Sequence, residues 1–189
     1  TTLVILTCNR LNNLDAMRLF LYYPTQYIEK GEMRAMDRIH DVLSSRQFSL
    51  GFLISLFKDA ARIQSLLSLR EGKELLTYIL PGHVICEIFY PESSRTLHSF
   101  AAAGGRLGAT VMNERGMRRT HEENGKKVVT WELVFSSEEK DAYFEDEVTA
   151  WASYYDLLIM RTSKAGLVER AVEIIKERGL DVPVINAGD

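Results

Sequence analysis

The stretch from Val84 to Thr96 constrains the fold of this chain more than any other. An apolar run rich in Val and Ile, residues 84–90, is followed by Pro91 and Glu92 and then by Ser-Ser-Arg-Thr, residues 93–96. An alanine-rich segment of helical character begins directly afterwards. A helix N-terminus offers unpaired N–H groups and a partial positive charge, and hydroxyls and a guanidinium placed there can bind phosphate. The pattern predicts a strand, a tight turn and a helix, with an anion site at the turn.

Strands and helices alternate through the rest of the chain. We predict strands at residues 84–90, 109–112, 156–160 and 182–186, and helices at residues 49–72, 96–107, 144–154 and 166–178. In the first of these helices, Ser49 is the predicted N-cap and Glu71-Gly72 the predicted end. The alternation predicts an α/β fold of three layers, a parallel sheet with helices on both faces.

Two regions stand outside this alternation. Residues 1–39 have helical spacing and are interpreted as an N-terminal helical extension, to which the sequence assigns no chemistry. Residues 115–134 contain Asn124-Gly125, a strong hairpin signal, and are predicted to form an inserted β-hairpin. Basic residues in this hairpin raise the alternative of a nucleic-acid surface, but interleaved acids favour a solvated hairpin. A net charge of −3 also argues against nucleic acid or an anionic membrane as the main partner.

Polar side chains follow the predicted strands at the edge where ligands of parallel sheets bind. Ser93–Thr96, Arg161 and Asn186 all lie at carboxyl ends of predicted strands. Two arginines and three hydroxyls at one crevice suit a phosphate-bearing ligand, because the guanidinium group makes bidentate contacts to phosphate. Read alone, the segment also fits a simpler alternative, in which Ser93 is an N-cap and Arg95 a surface side chain.

Other chemistries find little support. The four histidines lack the spacing of metal ligands, and neither a Gly-x-x-x-x-Gly-Lys nor a Gly-x-Gly-x-x-Gly motif is present. We therefore predict no metal and no cofactor, and expect any reaction to depend on positioning and electrostatics.

Two cysteines, Cys8 and Cys86, are too few for a disulfide framework and fit a reducing, cytoplasmic compartment. No apolar run approaches the roughly 20 residues that a membrane span needs.

Several linked motifs resemble one family. Residues 91–96, then Ser99-Phe100 and then Arg106-Leu107-Gly108, resemble the phosphate-binding signature of the aspartate/ornithine carbamoyltransferases, Ser-Thr-Arg-Thr, Ser-Phe and Arg-Leu-Gly-Gly. Further matches keep the family's order at residues 40–49, 153–161 and 182–189. The resemblance implies a carbamoyl-phosphate-binding domain at residues 40–189. It also implies that the family's second, amino-acid-binding domain is absent from this sequence, together with its His-Pro-x-Gln segment.

The resemblance also implies roles for individual residues. The residues implied to hold the phosphate are Ser93, Ser94, Arg95 and Thr96. Arg161 is implied to contact the phosphate and the carbamoyl oxygen, and Thr96 to help at that oxygen. Ser136 and Lys140 are implied to reach the site of a neighbouring subunit in a homotrimer.

The reaction implied is transfer of the carbamoyl group from carbamoyl phosphate to the amine of L-aspartate, in pyrimidine biosynthesis. Ornithine or another amine is the alternative acceptor, and a non-catalytic paralogue that binds phosphate compounds or partners is a further alternative. Two departures from the family pattern matter: Asp141-Ala142-Tyr143 replaces Gly-Glu-Thr after Lys140, and Thr162 stands where aspartate enzymes usually carry His. We expect negligible turnover by this chain alone.

Overall fold

A computed structural model describes residues 39–90, 93–115, 117–132, 144–162 and 164–188. The predicted extension over residues 1–39 lies outside the described residues, except for Ile39 itself. The described strands are β1 Val84–Tyr90, β2 Thr110–Arg115, β3 Met117–Glu123, β4 Lys126–Glu132, β5 Leu157–Thr162 and β6 Val184–Asn186. The described α-helices are α1 Leu50–Leu67, α2 Arg70–Leu76, α3 Ser94–Arg106, α4 Phe144–Tyr154 and α5 Leu167–Glu177.

The predicted parallel sheet is confirmed. Its strands lie in the order β2-β1-β5-β6, and each neighbouring pair is parallel. Val42 forms a parallel bridge with Ile185 on the outer side of β6. Because β1 is central, the turn that follows it lies at the middle of the sheet's carboxyl edge. Among the described residues, no helix is long and apolar enough to cross a membrane.

Helices cover both faces of the sheet, so the predicted three-layer architecture is also confirmed. Neighbouring residues of β1 point to opposite faces, as the period of a strand requires. Cys86 and Ile88 pack with α4 and α5, whereas Ile85 and Phe89 pack with α2 and α3. Each aliphatic side chain buried in these cores contributes about 1.5–3 kcal/mol through removal from water.

The first helix ends earlier than the sequence predicts. Ser49 caps α1 as expected, and its Oγ accepts a hydrogen bond from the Phe52 N–H at 3.2 Å. The predicted end at Gly72 is wrong, because the helix breaks after Leu67 and Gly72 is buried inside α2. A Cβ at Gly72 would lie 2.2 Å from the Leu66 carbonyl oxygen. This glycine is therefore required by a close backbone approach, not by a helix stop.

The inserted hairpin is confirmed as a separate two-stranded sheet. Strands β3 and β4 pair antiparallel, from Met117 opposite Glu132 to Glu123 opposite Lys126. Asn124 and Gly125 join them, with φ of 53° and 72°. Positive φ at both central residues is the requirement of a type I′ turn, which Asn-Gly satisfies at low cost.

A polar cluster fixes the segment before α1 against the last strand. Asp41 lies at its centre, where Oδ1 accepts from the Val184 N–H at 3.1 Å and Oδ2 lies 3.4 Å from Lys176 Nζ. His40 bridges two carboxylates, since its ring nitrogens lie 3.0 Å from Asp41 and 2.9 Å from Asp181. The cluster holds the edge of the sheet to which Val42 is bridged.

Candidate functional site

The turn between β1 and α3 leaves its helix N-terminus open. Ser93 occupies the N-cap position but makes no side-chain capping bond. Its hydroxyl donates instead to Thr96 Oγ1 at 3.1 Å, and the first turn of the helix is closed by the Leu97 N–H bonding to the Ser93 carbonyl at 2.9 Å. Ser49, in contrast, caps α1 with its side chain. The N–H groups at the start of α3 are therefore not taken by the residue best placed to accept from them, which suits an anion.

Polar side chains surround this open helix end. Ser94 and Arg95 are exposed, whereas Ser93 and Thr96 are half-buried. Within the part of the chain that the structure describes, Arg95 forms no ion pair. A guanidinium with its donors available, beside hydroxyls and helix N–H groups, is a strong combination for a phosphate oxygen.

Arg161 reaches the same edge of the sheet from β5. It lies in register with Phe89 of β1, so its side chain leaves the sheet on the face that α3 covers. Its Nη1 donates to the Ala187 carbonyl at 3.5 Å, a long and weak hydrogen bond. Arg161 is half-buried. The guanidinium thus lies at this edge of the sheet, and most of its five donors are available.

Gly188 provides space for this arginine. A Cβ at position 188 would lie 3.2 Å from Arg161 Nη1, and the φ of +124° is one that side chains rarely adopt. Asn186 holds the turn, because its Oδ1 accepts from the Gly188 N–H at 2.8 Å and its Nδ2 donates to the Leu43 carbonyl at 3.3 Å. The sequence placed Asn186 at the candidate site, and the structure gives its side chain these turn-forming bonds.

The strands that carry the two halves of the site are tied together at their other end. The Asp156 carboxylate accepts from the Val84 N–H at 2.9 Å, and the Asp156 N–H donates to the Val84 carbonyl at 2.8 Å. These bonds fix the register of β5 against β1. Arg161 is thereby held one strand away from the strand that leads into Ser93.

The structure brings Ser93, Ser94, Arg95 and Thr96 together in one helical turn and places Arg161 at the end of the adjacent strand. The predicted contributors from a neighbouring subunit, Ser136 and Lys140, lie outside the described residues. In the described ranges, no group of three or more His, Cys, Asp or Glu side chains is placed to hold a metal ion.

Sequence reasoning did not single out Glu87, which lies below the site in the middle of β1. The residue is 0 % exposed, and neither carboxyl oxygen has a hydrogen-bond partner among the described residues. Burial raises the pKa of this carboxyl to about 7, because the charged form is poorly solvated there. The sequence did contain a signal for this residue, because Glu87 is the one charged residue in the otherwise apolar run of residues 84–90.

Comparisons with known proteins identify the family of this domain. The family model described as "Aspartate/ornithine carbamoyltransferase, carbamoyl-P binding domain" matches residues 40–189. A chloroplastic aspartate carbamoyltransferase of rice is 30% identical over 156 residues, which cover 80% of this chain and 37% of the relative. The catalytic subunit of aspartate carbamoyltransferase from Staphylothermus marinus is 32% identical over 149 residues, which cover 79% of this chain and 40% of the relative.

Solved structures give the same result. The aspartate transcarbamoylase of Trypanosoma cruzi in complex with carbamoyl phosphate superposes with a TM-score of 0.60 and 28% identity, covering 79% of this chain and 40% of that one. The catalytic subunit of M. jannaschii aspartate transcarbamoylase superposes with a TM-score of 0.61 and 25% identity, covering 80% of this chain and 41% of that one. The chain spans about two fifths or less of the length of these relatives. The match over residues 40–189 shows that the chain belongs to the aspartate/ornithine carbamoyltransferase family, at its carbamoyl-phosphate-binding domain.

Proposed function

We propose that this chain supplies the carbamoyl-phosphate half-site of an aspartate carbamoyltransferase. The observation that carries the proposal is the open N-terminus of α3, with Ser93 not capping it, beside Arg161 at the end of the adjacent strand. This arrangement offers backbone N–H groups, hydroxyls and two guanidinium groups to one anion. Family membership and the names of the similar proteins support carbamoyl phosphate as that anion and L-aspartate as the acceptor.

The phosphate group fits the start of α3. In this proposal Ser93, Ser94, Arg95 and Thr96 hold its oxygens with hydroxyl, guanidinium and backbone donors. The backbone donors of α3 and the paired hydroxyls of Ser93 and Thr96 are held in place before the ligand arrives, so these groups need little reorganisation when charge moves onto the leaving phosphate. Arg95 contributes most, because a charge-assisted bidentate contact is roughly twice as strong as a neutral one.

The carbamoyl group lies between the phosphate and Arg161. The aspartate amine attacks the carbamoyl carbon, a tetrahedral oxyanion forms, and the C–O bond to phosphate then breaks as the phosphate leaves. Arg161 and Thr96 stabilise the oxyanion, which carries more negative charge than the carbonyl from which it forms. Arg161 therefore binds the transition state more strongly than the ground state.

The remaining parts of the enzyme come from outside this half-site. Ser136 and Lys140 of a neighbouring subunit complete the phosphate site in a homotrimer, and a second domain holds the aspartate. The whole protein acts in the cytoplasm in pyrimidine biosynthesis. The family membership supports the homotrimer, the second domain and the pathway. The cytoplasmic location is supported only by the low cysteine content, with two cysteines in 189 residues.

The test is anion binding by isothermal calorimetry, with inorganic phosphate and carbamoyl phosphate as ligands. Arg161→Ala is expected to raise the Kd of both roughly tenfold to hundredfold, since a hydrogen bond to a charged group contributes about 1.5–3 kcal/mol. Arg178→Ala is the matched control, because Arg178 is exposed at the C-cap of α5. Equal Kd values for wild type and Arg161→Ala, in folded protein, would overturn the assignment of the site.

A further inference from the structure

The central strand of the sheet carries a buried carboxyl group directly below the candidate site. Glu87 is 0 % exposed, and neither of its oxygens has a hydrogen-bond partner in the described part of the chain. Burying an unpaired carboxylate is costly, so the group stays protonated or finds a cation. The resemblance and the proposed reaction give this residue no role.

Two arginines lie near Glu87 by register, Arg161 of β5 and Arg115 of β2, each in register with Phe89. Of the two, Arg161 is the one at the candidate site. Glu87 pairs with Ile159 of β5, and Arg161 lies two residues further along β5 on the same face of the sheet. A rise of about 3.3 Å per residue and a strand spacing of about 4.8 Å place the two Cα atoms roughly 8 Å apart. Within the described ranges, the hydrogen bond that holds Arg161 is the 3.5 Å bond to the Ala187 carbonyl, and it is weak. The two side chains are together long enough to meet.

Residues of α2 and α3 that pack against this face are apolar: Leu76, Leu97 and Phe100. The charged or titratable residues of the surrounding elements are mostly exposed or lie outside this core. They are His83 just before β1, Arg115 on β2 in register with Phe89, the exposed Arg70, Glu71, Lys73 and Glu74 of α2, and the exposed Arg95, His98 and Arg106 of α3.

We propose that Glu87 is a proton-controlled competitor for Arg161, so that anion binding at the start of α3 depends on the protonation of Glu87. The protonated carboxyl leaves the guanidinium to the anion. The ionised carboxylate draws the guanidinium down into a buried ion pair and adds a negative charge below the site. Glu87 is thus a positioning residue that acts through Arg161, and this inference rests on the anion site proposed above. Burial places the pKa of Glu87 at about 7, so the exchange falls in the physiological range.

Sulfate is the appropriate probe, because it remains a dianion where phosphate itself titrates. Calorimetry on the wild-type chain is expected to show sulfate affinity falling roughly tenfold between about pH 6 and about pH 8.5. Repulsion between the ionised Glu87 carboxylate and a sulfate about 10 Å away is of this size. Glu87→Gln is expected to remove this fall. Glu114→Gln is the matched control, because Glu114 is exposed on the neighbouring strand, opposite Ile88 in the pairing, and it should keep the wild-type profile.

The outcomes separate the two proposals. Sulfate binding with the same pH profile in wild type and Glu87→Gln overturns the role of Glu87 and leaves the anion site intact. Absence of sulfate binding at every pH overturns the anion site and, with it, this inference. If Glu87→Gln does not fold, carboxyl-carbon NMR of the wild-type chain gives the answer, because linkage is reciprocal. Saturating sulfate must then raise the pKa of Glu87, and an unchanged pKa overturns the inference.

Discussion

The two faces of the sheet differ in what they bury, and the adjacent residues Cys86 and Glu87 show the difference. Cys86 points into the core under α4 and α5, where burial, followed by the nearby Glu114 carboxylate, raises the pKa of its thiol to about 12. Glu87 points towards α3, where burial raises the pKa of its carboxyl to about 7. Both groups resist ionisation for the same reason, the poor solvation of charge in a core.

The consequences are opposite. A thiol is already neutral at physiological pH, so its raised pKa changes no charge and Cys86 serves as a small apolar side chain. A carboxyl group is ordinarily ionised at physiological pH. Because burial raises the pKa of Glu87 to about 7, the charge of this group changes near neutral pH. The α4 and α5 face is therefore a core for stability alone, whereas the α3 face combines a core with the support of the anion site.

The largest expected effect on stability comes from truncating one large buried side chain on each face of the sheet, Trp151 and Leu97. Trp151 on α4 is 5% exposed, and Leu97, directly after Thr96 on α3, is 4% exposed. Truncation of either to Ala should lower the free energy of unfolding by about 2–5 kcal/mol, through lost burial and the cavity left behind. Urea titration measures this loss.

Anion affinity should then separate the two variants. Leu97→Ala should weaken phosphate binding, because Leu97 anchors the turn that carries the hydroxyls, and Trp151→Ala should leave the affinity of the folded protein unchanged. Ile175→Val is a milder substitution in the core under α4 and α5, and it should lower the free energy of unfolding by about 1 kcal/mol. Equal losses of affinity in Trp151→Ala and Leu97→Ala would contradict the division between the faces.

A second test is the pH dependence of stability. The folded pKa of Glu87, about 7, lies above the ordinary value of 4.5. Between these values the unfolded chain loses the proton and the folded chain keeps it, so the free energy of unfolding falls as pH rises and levels off above about pH 7. The shift corresponds to a loss of about 3 kcal/mol. Denaturant titrations across this pH range should show that Glu87→Gln lacks this fall in the free energy of unfolding. If the unfolding free energy of the variant fell with pH as steeply as that of wild type, the assigned pKa would be wrong.

Much of this fold could be predicted because its signals are local. Alternating apolar runs and helical spacing predicted the parallel sheet and its helices, and Phe144–Tyr154 is the helix that the sequence indicated. The Asn124-Gly125 turn was equally predictable, since its backbone requirement is met by the two residues themselves. The placement of Ser93–Thr96 and Arg161 at one edge of the sheet was predicted from their positions directly after apolar strands, because parallel strands end at the same edge.

Features that depend on distant residues could not be predicted in the same way. Gly72 was read as a helix end, but its reason is the Leu66 carbonyl of the preceding helix. A Cβ at Gly108 would lie 1.9 Å from the Thr77 carbonyl oxygen, a contact between segments far apart in sequence. The unpartnered state of Glu87 likewise depends on what three other elements place around it. Local pattern gives the residue type, and only the packing shows whether a partner is present.

The smallest expected effect separates two helix starts that look alike in sequence. Ser49 caps α1 through its hydroxyl, whereas the hydroxyl of Ser93 donates to Thr96 and leaves α3 open. Ser49→Ala should therefore lower the free energy of unfolding by about 1 kcal/mol, the usual value of an N-cap, without changing anion affinity. Ser93→Ala should have less effect on stability, because no capping bond is lost, and should weaken phosphate binding. Urea titration measures the stability of the two variants, and calorimetry measures their phosphate affinity. If Ser93→Ala lost as much stability as Ser49→Ala and kept its phosphate affinity, Ser93 would be an ordinary helix cap. The start of α3 would then not be the anion site.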